Sequence, residues 1–250
     1  MSLPDDWRIA WSHQIDDRTT ALVSDTSGVI IATGSMVRAI DASGDFRWRR
    51  SFIFDVFDLQ LDGGTLAVLS GPGFHVIDRT TGDPLGEGRS VAGGFRQTLS
   101  RPGGGWVLAD RGNLLHIFRR DGRGIRRIQS GQLRKIVGWL DREHLIVLDV
   151  DGRLRCIRLH GQEVQRVIEE RRWTWCSTLQ RGRLLLQAMD GSLHDGTPNP
   201  FGWDELNRVD EIGIDPVDAV LSADLWWILA MDGRISGIPD SSIGGLVTSD

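Results

Sequence analysis

The sequence predicts an all-β fold: a single domain over residues 1–250 built as a six-bladed β-propeller of four-stranded antiparallel blades. Three observations carry this. A strand-rich phrase recurs about every forty residues, glycine-closed turns fall at matching places in each copy, and an N-terminal stretch reads as the last strand of a blade rather than the first.

The phrase is clearest over residues 28–48. Val29, Ile30 and Ile31 open an apolar strand, Gly34-Ser35 breaks it, and Met36, Val37, Ala39 and Ile40 mark a second. Asp41-Ala42-Ser43-Gly44 then turns the chain into a third run ending at Trp48. With a leading strand, the first blade is expected at 21–24, 29–33, 36–41 and 46–52. The turn glycine recurs as Gly44, Gly82, Gly122 and Gly161, at spacings of 38, 40 and 39 residues. Such turns need positive φ, which glycine adopts without a steric clash.

A second landmark joins the second strand of a phrase to the third: Asp110-Arg111-Gly112, Asp151-Gly152, Asp190-Gly191 and Asp232-Gly233. The strands leading into it (WVLAD, HLIVLDV, LLLQAMD, WWILAMD) are apolar nearly throughout, as strands covered on both faces are. Later phrases are expected to begin near Val56, Phe95, Leu133, Thr174 and Val217. Residues 163–172 are ambiguous between helix and strand and are read as the outer strand of the fourth phrase. Irregularity over 196–203 leaves seven thinner blades as an alternative count. Residues 6–15 match an outer strand, with Trp11 standing where Trp48 stands in the first phrase. This strand is expected to complete the last blade (217–238) and so close the ring, removing an edge that invites aggregation.

Composition agrees with a globular chain: 40% hydrophobic and 25% charged residues, and 31 glycines against 8 prolines, which suits many tight turns. No window reaches the eighteen or so apolar residues of a membrane helix, and the N-terminus lacks a cationic start followed by an apolar run, so the expected location is cytoplasmic, with no membrane partner. In that setting Cys156 and Cys176, both inside expected strands, are expected to be reduced, buried and inert.

Residues 39–49, AIDASGDFRWR, resemble the repeat of quinoprotein-like propellers (PQQ-repeat, WD-repeat-like), whose pattern is Ala-x-Asp-x-x-(Thr/Ser)-Gly-x-x-x-Trp. Ile77-Asp78-Arg79-Thr80-Thr81-Gly82 keeps the turn and loses the tryptophan; the next two phrases keep the strand pattern and the glycine. The resemblance implies the fold. Relatives that bind the quinone are exported and eight-bladed, with adjacent cysteines and a calcium site. This chain is too short for eight blades and has no adjacent cysteines, so no cofactor is expected.

No catalytic or metal set is expected either. The histidines have no zinc-type spacing, no serine lies in a Gly-x-Ser-x-Gly context, and no glycine loop precedes a helix to cradle phosphate. The expected role is a non-catalytic protein-interaction scaffold, a subunit of a larger cytoplasmic assembly. Two alternatives stand beside it. One is a hydrolase-like propeller with a divalent metal in the central channel, for which Asp25, Asp58, Asp62, Asp149, Asp190 and Asp218 supply candidate oxygens. The other is a nucleic-acid-binding propeller using a basic patch in the third blade, Arg119, Arg120, Arg123, Arg126 and Arg127, although the net charge is −5 and no aromatic residues interleave with these arginines.

Strand direction puts the loop from one blade to the next at the same end as the turn between second and third strands. There the fourth-to-fifth loop carries Glu169-Glu170-Arg171-Arg172-Trp173-Thr174-Trp175, mixing the arginine and tryptophan that dominate binding hot spots. Arg171, Arg172 and Trp173, with Phe52 and Phe54 of the first-to-second loop, are the expected partner-binding set. Trp175 is expected to wedge between blades.

Overall fold

The computed structural model describes residues 12, 18–159, 164–209, 214–222 and 225–239. Their regular structure is 23 strands in six antiparallel sheets, one per phrase: a six-bladed β-propeller. Among the described residues no helix is long and apolar enough to cross a membrane. The chain divides into two compact units, Met1–Ser130 and Gly131–Asp250.

The first unit holds three sheets. The first is β1 (Thr19–Asp25), β2 (Gly28–Thr33), β3 (Met36–Asp41) and β4 (Phe46–Ser51); the second is β5 (Val56–Asp62), β6 (Thr65–Ser70), β7 (Gly73–Asp78) and β8 (Arg89–Ser90); the third is β9 (Phe95–Ser100), β10 (Trp106–Asp110), β11 (Leu114–Phe118) and β12 (Gly124–Gln129). Strand β6 is buried at every residue, because both its faces meet a neighbouring blade. Leu66 and Val68 pack with Ile30, Ala32 and Val37 of the first blade, while Ala67 and Leu69 pack with Phe95, Trp106 and Leu108 of the third. Each fully buried aliphatic side chain there contributes about 1.5–3 kcal/mol.

Trp48, the motif tryptophan, locks the first blade to the second. Its indole Nε1 donates to the Arg79 carbonyl at 2.8 Å, and Arg50 donates to the Gly82 carbonyl at 2.9 Å. Gly82 has φ +77°, and a Cβ there would lie 2.8 Å from the Trp48 ring, so glycine is required both for the turn and for the indole to seat.

The second unit holds β13 (Leu133–Trp139), β14 (His144–Asp149), β15 (Leu154–Arg158) and β16 (Val164–Val167); then β17 (Trp173–Cys176), β18 (Leu184–Ala188), β19 (Leu193–Asn199) and β20 (Gly202–Val209); then β21 (Pro216–Ser222), β22 (Leu225–Ala230) and β23 (Ile235–Pro239). Strand β18 repeats the two-faced packing, with Leu184 and Leu186 toward the fourth blade and Leu185 toward the sixth. Both cysteines are free and buried, and burial pushes each thiol up to about 11, which suppresses thiolate chemistry.

Within each unit the innermost strands of successive blades are joined by side chains reaching backbone. Thr20 donates to the Val56 carbonyl, Asp58 accepts from the Thr98 N–H at 2.7 Å, Lys135 donates to the Cys176 carbonyl at 2.9 Å, and Gln180 both accepts from the Leu221 N–H and donates to the Ala219 carbonyl.

Three details depart from expectation. The outer strand of the second blade is only two residues long, because Pro84 and Leu85 cap the edge of β7 through an isolated bridge to Ile77 and a bond from the Leu85 N–H to the Val76 carbonyl. In the third blade the left-handed residue of the Asp110-Arg111-Gly112 turn is Asn113, at φ 79°, since Asp110 Oδ1 accepts from both the Gly112 and Leu114 N–H groups and shifts the turn by one residue. The irregular stretch of the fifth phrase is a hairpin, β19 to β20, whose turn is held by Asn199 accepting from the Phe201 N–H at 2.8 Å. All but Ser12 of the expected closing strand, 6–15, lies outside the described residues, as does Gly161.

Candidate partner-binding site

The loop from β16 to β17 is fixed from below. The Trp173 N–H donates to the Gly152 carbonyl at 2.7 Å, so the start of the fifth blade rests directly on the Asp151-Gly152 turn of the fourth. Gly152 sits at φ +82°, and a Cβ on it would lie 2.6 Å from the Trp173 carbonyl oxygen. The Trp173 ring then enters the core between these blades, 1% exposed, packed with Leu184 and Leu186 and edge-on to Trp203 at 6.5 Å. Trp173 is therefore not a surface contact. β17 begins at this residue, one earlier than expected, and a register shift between Trp173 and Trp175 seats both indoles. Trp175 is half-buried and bridges to the sixth blade through Nε1 and the Val217 carbonyl, 3.4 Å.

The buried indole is a platform for the arginine that precedes it. Arg171 lies over the Trp173 ring at 5.4 Å, ion-pairs with Glu169 at 3.2 Å, and points Nη1 at His194 Nδ1, 3.4 Å away. Glu169 is itself held by the Trp203 indole N–H at 2.9 Å. From His194 a polar chain runs on: Nε2 to Ser192 Oγ at 3.0 Å, and Ser192 Oγ to Asp190 Oδ1 at 2.6 Å. Burial first, and Arg171 second, hold the His194 imidazole below its ordinary pKa, so it is neutral at neutral pH. A guanidinium can only donate, which assigns Nδ1 as acceptor and leaves Nε2–H to donate to Ser192, whose own proton goes to Asp190. The hydroxyl and N–H of Ser192 in turn hold the Asp190 carboxyl below the usual range. Every donor in the chain points from arginine to aspartate. Ser192 therefore faces no basic nitrogen, and serine, histidine and aspartate here form a brace rather than a nucleophile with its general base.

Above the brace lies a cleft of about 640 Å³ lined by Arg171, Arg172, Arg208, Met189, Asp190 and His194 among others. Arg172 is exposed and makes no hydrogen bond or ion pair among the described residues. Met189 is 73% exposed, and Val150 and Met231 hold the same place in the turns of the fourth and sixth blades, 42% and 78% exposed. The sequence pointed to Arg171 and Arg172; it did not point to Ser192, His194, Arg208 or Met189. The signal was available in the cross-strand pairing of His194 with Arg208, which the irregular appearance of residues 196–203 concealed.

The other expected residues are dispersed. Phe52 is half-buried against the first-to-second core, 5.2 Å from the His75 ring, while Phe54 is 52% exposed and Ile53 90%. With Trp173 buried, the expected aromatic patch loses its tryptophan. In the basic patch, Arg120 forms a two-pronged pair with Asp62 at 3.0 Å and Arg123 pairs with Asp121 at 3.6 Å, while Arg119 is exposed. Arg126 and Arg127 line a separate pocket of about 380 Å³, with Arg89 and an apolar wall of Phe95, Phe118 and Ile125, where the outer strand of the second blade is short.

The acidic candidates for a metal are each engaged by protein. Asp25 binds Ser27 and Arg79, Asp62 binds Arg120 and the Gly105 N–H, Asp149 binds Arg155 and the Arg153 N–H, Asp190 binds Ser192, and Asp218 accepts from the Ala219 N–H. Among the described residues no three His, Cys, Asp or Glu side chains gather as a metal site. Asp58 differs from the others: burial pushes its carboxyl up to about 7, against the opposing N–H groups of Thr98 and Leu59.

Neither a family model nor a curated protein matches the sequence. Solved structures do match in fold. BamB from Moraxella catarrhalis aligns with 96% of this chain and 76% of its own, at TM-score 0.68 and 16% identity. The Cps50 (Swd1) β-propeller domain of Myceliophteria thermophila aligns with 89% of this chain and 82% of its own, at TM-score 0.66 and 11% identity. A chain of the mitotic checkpoint complex aligns with 92% of this chain and 77% of its own, at TM-score 0.71 and 13% identity. At such identities the likeness is one of fold.

Proposed function

We propose that this chain is a non-catalytic protein-interaction propeller, a single cytoplasmic domain acting as a subunit of a larger assembly. The observation that carries the reading is the cleft between Arg172 and Met189. It combines an exposed guanidinium and exposed methionine with a rigid floor, the combination of charged anchor, apolar contact and preorganised support that interfaces use. The direction of the Ser192 brace favours support over catalysis. Likeness in fold to a chain of the mitotic checkpoint complex, an assembly by its name, agrees with a subunit role.

The test is capture of partners by the tagged 250-residue chain from native lysate, with nuclease-treated and chelator-treated parallels, followed by reconstitution with the purified partner. A stoichiometric protein that survives both treatments and rebinds in purified form is the expected result. Retention of nucleic acid alone, or a partner lost on chelation, refutes the reading.

A further inference from the structure

We propose that the Arg171–Arg172–Arg208 cleft receives an acidic peptide segment of the partner, with carboxylates on the arginines and an aliphatic side chain against Met189. The inference rests on the interaction reading above and names the chemistry of its site. The named lining carries three arginines against one aspartate, and Glu169 pairs with Arg171 from behind it, so the cleft keeps an excess of positive charge although the whole chain has net charge −5. Its positive wall is built in advance: Arg171 is fixed by Glu169, by His194 and by the Trp173 face, and loses little freedom on binding. Arg172 beside it is exposed, and the planar fork of a guanidinium matches a carboxylate through two parallel bonds.

Three features favour peptide over nucleic acid. Asp190 stands in the cleft and repels a run of closely spaced phosphates. Trp173, beneath Arg171, and His194, in the lining, are both buried and offer bases no open stacking face. Met189, 73% exposed in the lining, gives apolar contact that a phosphodiester backbone does not use. In an extended peptide alternate side chains share a side, so acidic residues at positions i and i+2 with a leucine or methionine at i+4 present both chemistries to one cleft.

The experiment uses the whole 250-residue chain and fluorescence anisotropy. The probes are fluorescein-labelled nonapeptides carrying two Asp or Glu and a Leu or Met, their Asn and Gln counterparts, and a labelled twelve-nucleotide oligouridine. The expected result is binding of acidic peptides, weakened about tenfold or more in the amide counterparts and about tenfold by Arg172→Ala, and unchanged by Arg142→Ala in the exposed turn between β13 and β14. Equal binding of acidic and amide peptides, insensitivity to Arg172→Ala, or Arg172-dependent preference for oligouridine overturns it. The two readings fail separately. A lysate partner that rebinds Arg172→Ala normally leaves the interaction role standing and removes the acidic cleft. Arg172-dependent peptide binding with no protein partner captured keeps the cleft and removes the assembly.

Discussion

Replacing Asp58 by asparagine changes almost no volume and keeps an oxygen to accept the Thr98 N–H, yet it removes a titration that couples folding to pH. In the folded chain burial raises this carboxyl to about 7 from its ordinary 3.8. Between those values the native state holds a proton that the unfolded chain releases, so stability is fullest below about pH 4 and is lost as pH rises through 7. A gap of roughly three pH units at about 1.36 kcal/mol each sets a ceiling of roughly 4 kcal/mol on the loss at pH 8. The assay is urea unfolding followed by tryptophan fluorescence, wild type against Asp58→Asn, from pH 4 to 8. The variant is expected to match wild type near pH 4 and to gain on it steadily, becoming the more stable protein by a few kcal/mol at pH 8. A difference that does not change with pH refutes the reasoning, because the carboxyl then titrates alike in both states.

Two further predictions concern the supports of the site and of the blades. Gly152→Ala places a Cβ 2.6 Å from the Trp173 carbonyl at a left-handed φ, and is expected to cost about 2–4 kcal/mol in urea unfolding, with a changed near-UV signal as the Trp173 seat shifts. Trp48→Phe keeps an aromatic ring beside Gly82 while deleting the donor to Arg79 and part of the indole's packing; the expected cost is about 1–3 kcal/mol, read as a drop in thermal midpoint.

Blade positions were legible because turn glycines and apolar central strands recur about every forty residues; β5, β9 and β13 begin at Val56, Phe95 and Leu133, near which the sequence places them. The two-faced apolar runs likewise announced β6-like central strands. What escaped was decided by parity. In a strand, moving the start by one residue exchanges the inward and outward sets, and β17 starts at Trp173 rather than Thr174, which sends an expected contact residue into the core. The brace under the cleft escaped for another reason. Asp190, Ser192 and His194 are close in sequence, but their meaning depends on Arg171, which reaches them from the preceding blade, and local pattern carries no information about that approach.

Four seams at or near the inner strands are made by a threonine and a lysine that each donate to a carbonyl, an aspartate that accepts from an N–H, and a glutamine that does both. The blades are accordingly not interchangeable modules. A chimera that duplicates the second blade, or moves the fifth into its place, preserves every strand and turn but sets a donor against a donor or strands a carboxyl beside a carbonyl. The repeat supplies the shape of each blade, and these differing stitches fit each blade to its own neighbour.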